Sequence, residues 1–253
     1  MWVMVNTPVD SLPVVELLGL EHHLILTHLL KSNKAYKRFY KRLSTKQKHW
    51  ITLDNSVFET NEPMVDLDLA RELQVSEVVA PDYFYDHKKT LEATSKFLGE
   101  NNLEGIDVMG VPQGDNANNY YQCLEAMLDN PNISSIGLGK FATLKVIDFP
   151  EEMDKNIKAL LGRLNVLSYI YREGLGNIKD FHMLGLINPS VEIPLFRNLS
   201  FLRSFDTSYP YRRFSGDETA DFLTPTTPVI NKLSIEWIIH VKEFLDGSRP
   251  EIF

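Results

Sequence analysis

Short apolar runs recur along the chain and alternate with longer stretches in which apolar residues return every three or four positions. The runs at 2–5, 24–27, 50–53, 77–80, 106–111, 133–138, 181–184 and 201–205 lead into polar or glycine-bearing turns, which predicts eight β-strands. The three-to-four spacing predicts helices over 34–43, 66–73, 87–99, 116–128, 151–171 and 189–196, with a last one over 234–245. Asp115 and Asn116 suit the start of the fourth helix, Pro150 with Glu151 and Glu152 the start of the fifth, and Gly174 its end. Apolar strands alternating with helices make a parallel sheet. Eight such units in 253 residues favour a single-domain (β/α)8 barrel of TIM type over 1–253, with an open doubly wound sheet as the alternative.

The composition, 43% hydrophobic and 24% charged, is that of an ordinary globular unit. Cys123 is the only cysteine, which rules out a disulfide within the chain and a Cys-rich zinc site. With no signal core or apolar span in the first 30 residues, the expectation is a cytoplasmic protein that does not enter a membrane. The seven histidines show no metal-ligand spacing and no GxxxxGK[ST] or GxGxxG occurs, so neither metal nor cofactor is expected.

The net charge of −8 is unevenly spread. No acidic residue lies between His22 and Leu53, whereas the segment from about 31 to 48 carries eight lysines and arginines. Lys34, Lys37, Arg38, Lys41 and Arg42 fall at helical spacing, so they form one cationic stripe. Such a stripe is a candidate nucleic-acid contact, with Arg212 and Arg213 as a second one; a merely solvated helix face is the alternative reading.

A sharper signal lies at the strand ends. Asp54 follows the third strand, Asp82 the fourth, Gln113 the fifth, Gly137 and Gly139 close the sixth, Gly185 follows the seventh and Asp206 closes the eighth. In a (β/α)8 barrel all these ends meet at one mouth, where catalytic side chains sit. Any one aspartate could simply cap a helix. Asp54 and Asp206, however, lead into the irregular segments Asn55-Ser56 and Thr207-Ser208-Tyr209-Pro210.

Asp54 in LDNSVFE, Asp82 in APDYF, Gln113 in GVPQG, the IGLG run at 136–139, HMLGL at 182–186 and Asp206 in SFDTSYP come in that order. Together they resemble the signature of the tRNA-guanine transglycosylase superfamily, most of all the branch related to insertion of 7-deazaguanine into DNA. The resemblance implies Asp206 as nucleophile on the anomeric carbon, Asp54 as acid/base carboxyl, and Asp82, Gln113, Gly137, Gly139 and Gly185 around the base. It further implies DNA, or tRNA, as polymeric partner and a free 7-deazaguanine-type base as co-substrate. The three-Cys, one-His zinc module of the tRNA enzymes is absent, and Asn55-Ser56-Val57 stands where they carry a glycine pair. The same two carboxyl groups would also serve a DNA glycosylase that leaves an abasic site. A tRNA-guanine transglycosylase and a catalytically silent nucleic-acid-binding barrel stay open beside these two.

Overall fold

The computed structural model describes residues 1–9, 12–46, 49–208 and 232–245. Eight strands form the centre: β1 Trp2–Val5, β2 His22–Leu26, β3 Trp50–Asp54, β4 Glu77–Val79, β5 Asp107–Gly110, β6 Ser135–Gly139, β7 Asp180–Leu184 and β8 Leu202–Thr207. All are parallel, and the ladder runs β1-β8-β7-β6-β5-β4-β3-β2. The two end strands, β1 and β2, pack against each other without pairing, so the barrel is nearly closed, with the Trp2 ring stacked on His22 at 4.4 Å. The chain is therefore a (β/α)8 barrel, and each strand lies within two residues of its expected bounds.

The helices are α1 Leu12–Leu17, α2 Thr27–Ser32, α3 Lys34–Ser44, α4 Val57–Thr60, α5 Leu67–Glu72, α6 His87–Glu100, α7 Ala117–Asp129, α8 Lys155–Arg172, α9 Pro189–Phe196 and α10 Lys232–Leu245. Helix α7 begins at the Asn116 cap as expected, its side chain accepting from the Asn119 N–H at 3.0 Å. Helix α8 begins four residues later than the sequence suggests. Asp154 accepts from the N–H groups of Asn156 and Ile157 and is the stronger cap, while 150–153 form a turn. The basic segment is broken at Asn33, an extended residue whose side chain caps α3, so Lys31 belongs to α2 and the stripe starts at Lys34.

The barrel interior is layered, and the layers decide which end is open. At the amino end Glu77 is fully buried and accepts from Thr52 Oγ1 (2.9 Å), Ser135 Oγ (2.7 Å) and, through both oxygens, Arg203 Nη2. The Arg203 guanidinium lies over the Trp2 and Trp50 rings at 5.6 and 5.2 Å. Above this plug Val79, Met109, Val111 and Leu184 pack together. Gly137 belongs to this apolar layer: a Cβ there would stand 2.7 Å from Leu184 Cδ1 and 2.9 Å from Met109 Sδ. Above this layer the carboxyl ends of the strands are left hollow.

Candidate active site at the carboxyl end of the barrel

A cavity of about 160 Å³ opens at that end, in the size class that admits one small aromatic molecule. Asp54, Asp82, Gln113, Gly139, Gly185 and Asp206 all line it. Gly137 does not; it lies one layer deeper, paired with His182 in the ladder, and its role is to let β6 approach Leu184 and Met109.

Three donors converge on Asp206. Asn6 Nδ2 donates to Oδ2 at 2.9 Å, while the Gly185 N–H at 2.8 Å and His182 Nε2 at 3.1 Å meet Oδ1. A carboxylate is an acceptor only and satisfies this set. Nε2 of His182 therefore carries the hydrogen, and Nδ1 accepts from Ser204 Oγ at 2.8 Å. Gly185 presents its N–H because it holds φ +64°, a left-handed conformation that favours glycine.

Asp54 is placed in the opposite environment. One donor, the Ser56 N–H at 2.5 Å, meets Oδ1. Burial pushes the carboxyl pKa well above its ordinary 3.8, and the charges of Glu59, Asp206 and Asp82 push the same way against that single bond. Two carboxyl groups in one cavity, one surrounded by donors and one by other carboxyls, is the arrangement that divides acid from nucleophile.

The fully enclosed Asp82 accepts from Asn55 Nδ2 and Gln113 Nε2, each at 2.6 Å. Burial lifts its pKa to about 6 in spite of these two amides. Asn55 is spent on scaffolding: Nδ2 also donates to the Ala80 carbonyl and Oδ1 accepts from the Val57 N–H. Gln113 Oε1 accepts from the Tyr85 N–H at 3.2 Å, which leaves one Nε2 hydrogen for a ligand. Acceptor and donor thus lie side by side on the wall.

Sequence reasoning does not single out Asn6, Phe58, Phe84, Lys140 or Phe141, all of which line the cavity. Asn6 directly follows β1. Phe84 and Phe141 each come two residues after a singled-out position, Asp82 and Gly139, and that spacing is an available signal. Phe58 stacks on Phe141 at 5.4 Å with 10° between planes, and Phe84 meets Phe141 edge-on at 6.0 Å.

The cationic stripe is not at the cavity. Lys37 and Lys41 pair with Glu72 at 2.7 and 2.8 Å, Arg42 and Lys46 with Glu16, both at 2.5 Å, and Lys31 with Asp66 at 3.0 Å. Glu16 and Glu72 lie at the ends of α1 and α5, which lead into the amino ends of β2 and β4. The stripe therefore runs down the outside of the barrel, away from the mouth, and Glu16 and Glu72 offset part of its charge. Lys34 and Arg38 are exposed and make no ion pair among the described residues. Arg212 and Arg213 lie outside the described residues. Among the described residues no group of His, Cys, Asp and Glu is arranged to hold a metal, and no helix is long and apolar enough to cross a membrane.

The Asp54 carboxyl makes stability depend on pH in a direction that can be measured. With its folded-state pKa pushed above 3.8, Asp54 gives a window that opens near 3.8 and closes where the carboxyl ionises in the folded protein. The stability this contributes is complete below the window and is lost as pH rises through it. Asp54→Asn keeps the acceptor for the Ser56 N–H and cannot ionise. Its melting temperature should therefore gain on the parent as pH is raised from about 4 to about 8, by roughly 2–4 °C for each kcal/mol relieved. Parallel melting curves for the two proteins across that range would show that the carboxyl is not held protonated.

No protein-family model matches the chain, and no curated protein matches it. Among solved structures it is similar to a monomeric form of the dimeric phosphoribosylanthranilate isomerase of Thermotoga maritima, at 13% identity over 97% of this chain and 98% of that one, with a TM-score of 0.47. It is also similar to D-psicose 3-epimerase with D-fructose (11% identity, 81% and 83% of the two chains, TM-score 0.44). A third likeness is to N-acetylneuraminate lyase of Mycoplasma synoviae (11% identity, 97% and 75%, TM-score 0.46). At such identities none of them bears on the chemistry of the pocket.

Proposed function

We propose that the protein is an enzyme that breaks N-glycosidic bonds in nucleic acid and exchanges the base, with DNA as polymer and a guanine or 7-deazaguanine as base. The observation that carries this reading is the division between Asp206, faced by three donors, and Asp54, whose pKa is pushed up by burial and by the other carboxyls of the same cavity. Breaking the bond needs both groups: a carboxylate to take the anomeric carbon and an acid to neutralise the departing base.

In the first half-reaction Asp206 Oδ2, which has a single donor among the described residues, forms a bond to the anomeric carbon. The sugar-to-base bond breaks, its electron pair leaves on the base nitrogen, and Asp54 supplies the proton. In the second half, a free base gives its proton to Asp54, attacks the same carbon, and releases the Asp206 carboxylate. Asn6, His182 and Gly185 orient Asp206 throughout. Asp82 and Gln113 supply an acceptor and a donor at the cavity wall, a pairing that suits the N1–H, exocyclic amine and carbonyl edge of a guanine-type base.

The test is a single-stranded oligonucleotide incubated with radiolabelled 7-deazaguanine-type base. Label entering the strand at guanine positions is the expected result. Abasic sites without incorporation would replace exchange by hydrolysis, and neither product would remove the reading.

A further inference from the structure

With the α3 stripe on the flank of the barrel, away from the cavity, the mouth itself must attract a polyanion if the proposed chemistry is right. The cavity wall carries Asp54, Glu59, Asp82 and Asp206, and Lys140 is the only basic side chain among its described lining residues. Carboxyls at depth repel phosphate, so the sugar-phosphate chain must be held above them. Lys140 is placed for that: its ammonium lies 4.9 Å from the Phe141 ring centre and 5.5 Å from that of Phe58. Its aliphatic stem passes over Gly185, the residue whose N–H meets Asp206.

Two further lysine–aromatic pairs lie in the segments that follow β4 and β6. Lys145 lies over the Tyr85 ring at 5.2 Å and Lys89 over the Tyr83 ring at 3.6 Å. Tyr85 also holds φ +63°, a conformation costly for a bulky side chain, and is tied there by its N–H bond to Gln113. Tyr83, Tyr85 and Phe141, each with a lysine across its ring, match the two requirements of a single-stranded nucleic acid: surfaces for unstacked bases and cations for the backbone between them. A duplex, whose bases are already stacked, offers nothing to these rings.

We propose that the rim built by the segments after β3, β4 and β6 is a track for single-stranded nucleic acid. Lys140 holds the phosphate beside the reacting sugar, and Tyr83, Tyr85 and Phe141 take neighbouring bases. As a base settles on a ring, the lysine that covered it turns to the adjoining phosphate. This inference rests on the proposed base-exchange reading and names the strand state and the contacts of its substrate.

The test uses full-length Asp206→Asn protein, so that substrate is bound and not turned over, with fluorescent 12-nucleotide DNA and RNA, single- and double-stranded, at 50 to 200 mM salt. Single strands should bind at least tenfold more tightly than duplex. Lys140→Gln with Lys145→Gln should weaken binding and flatten the log–log salt slope by about 0.7 per contact. Tyr85→Leu with Phe141→Leu should weaken binding by at least about 30-fold while leaving the slope alone. Lys34→Gln with Arg38→Gln on α3 should change neither. An unchanged slope in the rim variant, the loss appearing in the α3 variant, duplex bound as tightly as single strand, or no binding at all would each overturn the track. The base-exchange reading fails separately: tight, rim-dependent binding of an oligonucleotide on which the parent enzyme exchanges no base would leave the track standing and remove the chemistry.

Discussion

Asp206→Asn should leave the barrel folded and lower base exchange by about 10⁴- to 10⁶-fold, the scale of losing a covalent nucleophile. The fold should survive because the replacement keeps its contacts. One amide oxygen still accepts from the Gly185 N–H and His182 Nε2. The new amide nitrogen would face the Asn6 nitrogen, but Asn6 Oδ1 is buried with no partner among the described residues, so a flip of the Asn6 amide turns that oxygen towards it. The comparison of melting temperature with exchange rate checks both halves. A variant that keeps more than about a tenth of the parental rate, or one that unfolds, would remove the assigned role.

Arg163→Ala should destabilise the protein by about 3–5 kcal/mol, because it strands a buried carboxylate. Arg163 and Glu192 are 0% and 1% exposed and meet at 2.5 Å between Nη1 and Oε2. Arg163 Nη2 donates to the carbonyls of Leu184 and Gly185, and Glu192 Oε1 accepts from the N–H groups of Ile187 and Asn188 at 2.7 and 2.8 Å. The pair thereby pins the whole segment that carries Gly185 to Asp206. Helix α8 reaches this position only because Gly162 has no side chain: a Cβ there would stand 2.2 Å from the Thr143 carbonyl oxygen. Urea unfolding measures the loss. Arg163→Met combined with Glu192→Gln should cost less than the sum of the single changes, since no unpaired charge remains. A loss below about 1 kcal/mol for Arg163→Ala would mean that the loop is held by other contacts.

How much of this is legible in the sequence depends on whether the signal is local. Strand positions are written in runs of four to six residues, and the turns after them place Asp54, Asp82, Gln113 and Asp206 at one mouth once the barrel closes. Depth within the barrel is not local. Gly137 and Gly139 are two residues apart on one strand and point the same way, yet one packs in the apolar layer and the other lines the cavity.

Partners distant in sequence are equally invisible. Arg163 reads as one more charge on an amphipathic helix until Glu192, 29 residues later, is brought beneath it. Lys37, Lys41 and Arg42 of the α3 stripe read as free charges until Glu16 and Glu72 arrive from the neighbouring helices. The short helices α1, α2 and α4, of four to six residues, escape the pattern because fewer than two turns give no period to detect.

The central claim, that Asp206 takes the sugar, is tested most directly by intact-mass spectrometry. Parent enzyme is mixed with a short single-stranded oligonucleotide, quenched in denaturant during turnover, and its covalent species are weighed and mapped by proteolysis. The expected result is an adduct heavier than the protein by the oligonucleotide less one base, attached at Asp206 and absent from Asp206→Asn. Base exchange proceeding with no adduct at any quench time, or an adduct attached to another residue, would contradict the account.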